Sequence, residues 1–116
     1  MKLIFVYNAY SGFFNVLGDF AHKFVRPSTY PCNLCALTYG NLSMKMEWKE
    51  FISNLDIDVE FIHKNDFRIK YKTNGEFPSA YLREDNLRVF ISKTEMETLI
   101  NLHELMDLVR KKLEKY

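Results

Sequence analysis

Residues Leu3-Ile4-Phe5-Val6-Tyr7 form an unbroken apolar and aromatic run at the start of the chain. An amphipathic strand alternates apolar with polar, whereas a run without alternation needs cover on both faces. Such a strand belongs in the middle of a sheet with helices on either side. The run is also too short for a membrane span or a secretory h-region. With no export signal, the cytosol is the expected compartment and no membrane association is expected.

The rest of the chain supplies what that strand requires. Asn8-Ala9-Tyr10-Ser11-Gly12 breaks it, and a helix is predicted over 11–25, with Phe13, Leu17, Phe20 and Phe24 on one stripe. Arg26-Pro27-Ser28-Thr29-Tyr30-Pro31 ends that helix. Ser43 is the expected cap of another, in which Met44, Trp48, Phe51 and Leu55 recur at helical spacing. Val59 to His63 reads as a second strand, with Asp56, Asp58 and Glu60 as its solvated side. Asn65 or Asp66 is expected to cap a short turn through Phe67, Ile69 and Tyr71. Phe77 to Leu82 and Leu87 to Ser92 read as antiparallel strands joined by Glu84-Asp85-Asn86. One closing helix is predicted from Thr94, with Glu97 completing a capping box and Leu99, Leu102, Met106, Val109 and Leu113 facing the core. The expected architecture is a single α/β domain over residues 1–116, with a four-stranded mixed sheet and helices on both faces.

The chain's two cysteines lie in Tyr30-Pro31-Cys32-Asn33-Leu34-Cys35-Ala36-Leu37-Thr38-Tyr39-Gly40. Cys-x-x-Cys opening a short helix has two chemical uses, a redox disulfide or half of a zinc site. Pro31 suits such a start, and free N–H groups at a helix N-terminus favour the thiolate. A third possibility is that both are small buried hydrophobes. A complete metal site would need His22, His63 or His103, none of which has the paired spacing of a zinc finger; no metal or other cofactor is expected. The formal charge of +1 carries no basic footprint for nucleic acid. No Gly-x-x-x-x-Gly-Lys loop is present to cradle a nucleotide phosphate.

The order strand, helix, Cys-x-x-Cys, helix, strand, short helix, hairpin, helix resembles the thioredoxin-like superfamily in its glutaredoxin-like pattern. Phe77-Pro78-Ser79-Ala80 resembles the segment where that superfamily carries a cis-proline ahead of its third strand. The cysteine-bearing stretch also resembles one from small, poorly characterised bacterial proteins. The resemblance implies a thiol-disulfide oxidoreductase or redox-sensing protein, with Cys32 attacking and Cys35 resolving. It implies that Phe77, Pro78, Tyr10 and Tyr30 shape the binding surface for a thiol-containing protein or a small thiol. The departure is that the superfamily carries its cysteines directly after the first strand, where this chain has Asn8 to Gly12. Here they sit on an extra segment between the first helix and the second strand. The 11–25 helix runs about 22 Å back down from the first strand's end, so residues 26–42 must climb again before the second strand. The alternatives from other classes are a non-catalytic interaction module that kept the fold and a metal-binding domain using both thiols.

Overall fold

A computed structural model describes residues 1–9, 33–40 and 44–116. The helix expected over 11–25, and with it Tyr10, His22, Tyr30 and Cys32, lies outside these residues.

Strand β1 (Lys2–Tyr7) is central, as its sequence requires, and Leu3 to Tyr7 are all buried. It pairs in parallel with β2 (Asp58–His63) from Lys2↔Asp58 to Tyr7↔His63. On its other side it pairs antiparallel with β3 (Ser79–Arg83), with Val6 opposite Ser79 and Lys2 opposite Arg83. Strand β4 (Leu87–Ile91) completes the order β2-β1-β3-β4, antiparallel to β3 with a register shift at Ala80/Tyr81. The sheet is mixed, and β3 runs against the other three strands. The Phe77–Pro78 peptide bond that leads into β3 is cis.

Alternation along β1 divides the core in two. Leu3, Phe5 and Tyr7 point to one layer together with Ala80 and Leu82. That layer is filled by α1 (Asn33–Thr38), α2 (Met46–Ser53), α4 (Lys93–Thr98) and α5 (Leu102–Leu113). Trp48 of α2 sits edge-on to Phe5 at 5.3 Å between ring centroids. Ile4 and Val6 point to the other layer, where α3 (Lys64–Tyr71) covers them with Phe67. Phe67 lies 4.7 Å from Tyr81 and 5.6 Å from Phe77, so this smaller layer is largely aromatic.

Several local expectations are corrected. Helix α2 starts at Met46 after Lys45, whose side chain makes no capping bond, and Ser43 lies outside the described residues. Helix α3 starts at Lys64, so Asn65 and Asp66 lie within its first turn and His63 precedes it. The third strand begins at Ser79, after the Phe77–Pro78 bond, and ends at Arg83.

The closing helix is two helices. The capping box is Ser92 with Glu95, where Glu95 N–H donates to Ser92 Oγ and Ser92 N–H donates to Glu95 Oε1. Asn101 starts the second helix, its Oδ1 accepting from Glu104 N–H. Glu60 is not simply a solvated side chain. It receives Lys70 Nζ at 2.6 Å, Lys2 Nζ at 3.4 Å and a hydrogen bond from the Tyr71 hydroxyl, which binds the first strand to the end of α3.

Candidate functional site around Cys35

Helix α1 (Asn33–Thr38) is held by bonds to its C-terminal groups and to the Asn33 side chain. Thr38 Oγ1 donates to Leu34 O at 2.7 Å, and Tyr39 N–H donates to Cys35 O at 3.0 Å. Lys45 N–H reaches Thr38 O at 2.8 Å, and Tyr39 forms a bridge with Met44. At the other end, Asn33 Nδ2 donates to Met96 O and Leu99 O, the carbonyls that close α4. Local bonds thus hold its C-terminal end, and contacts distant in sequence hold Asn33.

Cys35 lies in the middle of this helix, wholly buried and disulfide-bonded. Leu34 and Leu37 flank it in the same layer as Tyr7 and Trp48. Tyr7, the last residue of β1, meets Tyr39 edge to face at 5.8 Å. Burial pushes the Tyr7 hydroxyl well above its ordinary value, and the neighbouring Tyr39 hydroxyl adds to the shift while Thr38 opposes it. Burial raises Tyr39 as well, with Tyr7 opposing. Both phenols therefore remain neutral in the physiological range and act as hydrogen-bonding groups, not charges.

The C-terminal rim of β1 and β2 is polar. Lys64 Nζ donates to Asn8 Oδ1 at 3.1 Å, and Lys64 N–H donates to Ala9 O at 3.2 Å. The His63 ring is 5.8 Å from Tyr7, and burial lowers its pKa against the opposing charge of Asp66.

Of the residues singled out in the sequence, Cys35 and Tyr7 share one layer. Pro78 is buried, two residues ahead of Ala80, which faces that same layer. Phe77 belongs to the opposite layer, packed on Phe67 with the Arg68 guanidinium 5.1 Å from its ring centre. The structure therefore does not bring the Phe77 ring beside Cys35. His103 sits on α5 and pairs with Glu47 at 3.1 Å. Among the described residues, no three His, Cys, Asp or Glu side chains gather to hold a metal ion. No helix among them is long and apolar enough to cross a membrane.

Asn33 is the anchoring residue that the sequence concealed. Its position between the two cysteines is visible, but its partners lie 63 and 66 residues away. No family model, no curated protein and no solved structure matches the chain.

Proposed function

We propose that this chain is a small thiol-disulfide oxidoreductase-like protein of thioredoxin-like topology, acting through Cys32 and Cys35. The observation that carries the proposal is the disulfide-bonded state of Cys35 within a short helix in the layer above β1. Two features of the scaffold support it. The sheet order is β2-β1-β3-β4 with β3 reversed, and a cis-proline leads into β3 two residues before Ala80 of the Cys35 layer.

In this mechanism the disulfide joins Cys35 to Cys32, the chain's other cysteine. A substrate thiolate attacks the Cys32 sulfur, the Cys32–Cys35 bond breaks, and Cys35 leaves as a thiolate that takes up a proton. A second substrate thiolate then attacks the substrate sulfur of the mixed disulfide and releases Cys32. The substrate pair is oxidised to a disulfide while the protein gains two electrons as a dithiol; the reverse sequence reduces a disulfide. Burial of Cys35 suits it to the resolving role, because only its intramolecular partner can reach it. The proposed partner is a thiol-containing protein or a small thiol.

Trapping distinguishes the roles. After reduction and incubation with oxidised glutathione, Cys35→Ser should hold a mixed disulfide on Cys32, and Cys32→Ser should hold none. Equal trapping by both variants would remove the role assignment. A second reading, a fixed disulfide in a non-catalytic interaction module, is favoured by the complete burial of Cys35. It predicts that neither variant traps glutathione.

A further inference from the structure

On the sheet face opposite Cys35, helix α3 covers β1 and β2, and no other described helix covers the β3–β4 side. A groove of about 590 Å³ lies there, bounded by residues 73–76, by β3 and β4, and by the start of α4. That volume falls within the roughly 300–1,000 Å³ typical of small-molecule sites. We propose that this groove binds a small organic acid, its apolar body lying on Tyr81, Leu87 and Val89 and its carboxylate paired with Lys93.

The floor is apolar where a surface strand would ordinarily be polar. Val89 is 59% exposed in the middle of β4, and it stands beside Leu87 and across the strand pair from Tyr81. A lone exposed valine is ordinary, but Val89 extends an apolar strip that Tyr81 and Leu87 begin. At the α4 end, Lys93 is half-buried and makes no ion pair among the described residues, since the nearby Glu95 carboxylate is taken by Lys112 and by Ser92 N–H. Lys93 thus sets a cation with a partly desolvated stem at the end of an apolar floor, which suits an anion with an apolar tail, while the one carboxylate of the lining, Glu76, is exposed on the opposite wall.

The groove also contains an unsatisfied group. Ser79 is 1% exposed, its hydroxyl has no hydrogen-bond partner among the described residues, and it lines the same groove. Buried hydroxyls are ordinarily paired, so this one is explained by a partner that enters from outside. Residues 73–76, which form the opposite wall, make no backbone hydrogen bond to the rest of the described chain. This site is separate from the thiol chemistry, because Ser79 and Tyr81 point away from the layer of Ala80 and Cys35.

The test is a ¹⁵N–¹H titration of the full chain with 4-phenylbutyrate, its neutral amide, acetate, and an acetylated tripeptide ending in leucine. Phenylbutyrate should give saturable shifts at the amides of Ser79, Tyr81, Val89 and Lys93, and bind about tenfold more tightly than the amide or acetate. Lys93→Met should erase the preference for acid over amide, and Val89→Glu should abolish binding by both. No saturable shift at those amides, or equal binding of acid and amide by the unaltered protein, would overturn the proposal. Tighter binding of the tripeptide than of phenylbutyrate would overturn it in favour of a protein C-terminus as occupant.

Discussion

The Asn33 side-chain amide donates to Leu99 O at 2.9 Å, and the same nitrogen reaches Met96 O at 2.8 Å. One residue thus ties the start of the cysteine-bearing helix to the point where α4 ends. Met96 O also accepts from Leu99 N–H at 3.4 Å, so Asn33 adds a second, shorter bond there and supplies one to Leu99 O, where the chain turns out of helical conformation.

Replacing Asn33 with Ala removes both bonds and leaves two carbonyls partly buried without that donor. We expect a loss of about 1–2 kcal/mol in stability. Urea denaturation followed by fluorescence of Trp48, the chain's single tryptophan, measures it. Reduction of the disulfide by dithiothreitol should also quicken, because α1 is then held at fewer points. An unchanged unfolding midpoint would show that these bonds add nothing.

This contact explains what could and could not be read from the chain. The central strand was legible because Leu3 to Tyr7 lack any polar face, and the hairpin because Glu84-Asp85-Asn86 separates two apolar runs. The break in the closing helix was hidden by the core stripe. Leu99 and Leu102 are three apart, so the apolar period runs straight through it. What interrupts the helix is Asn33 capping α4 from across the molecule and Asn101 capping α5 locally. The Asn101-Leu102-His103-Glu104 pattern carried a usable signal, whereas the Asn33 contact carried none. Glu60 was misjudged for a related reason. Alternation within β2 points it outward, but α3 folds back and delivers Lys70 and Tyr71 to it.

Gly75 is constrained by the molecule's smaller aromatic layer. A Cβ there would run into the Tyr81 hydroxyl and stand 3.2 and 3.3 Å from the Phe77 ring. Tyr81 is itself packed on Phe67, so it has little room to retreat. Gly75→Ala should cost about 1–3 kcal/mol, the usual range for overpacking. Thermal unfolding of the variant against Gly75→Ser, which adds one more atom, should show both destabilised and the serine more so.

Stability should fall in two stages as the solution is acidified. Burial holds His63 below its ordinary 6.5, with Asp66 opposing. A lowered folded-state value means that the unfolded chain binds more protons, so this contribution is full above pH 6.5 and is lost as pH falls towards the folded value. Burial works to raise Glu60, but the hydrogen bonds from Lys70 and Tyr71 and the charges of Lys2 and Lys70 outweigh it. Glu95 behaves alike, with burial opposed by Lys112 and Ser92. Both carboxyls sit below their ordinary 4.5, so their contributions hold above that pH and disappear below it. Melting temperature against pH should therefore decline first below about 6.5 and again below about 4.5. His63→Gln should flatten the first decline and Glu60→Gln should weaken the second. A first decline unaltered by His63→Gln would assign it to another group.

The redox equilibrium of the cysteine pair tests the proposed chemistry most directly. The full chain is equilibrated across glutathione mixtures spanning roughly −180 to −320 mV, quenched by alkylation, and weighed intact. Reversible passage between disulfide and dithiol inside that window, with a mixed glutathione adduct trapped only in Cys35→Ser, is the predicted result. A disulfide that survives the most reducing mixture, or one that once reduced never re-forms, would contradict it.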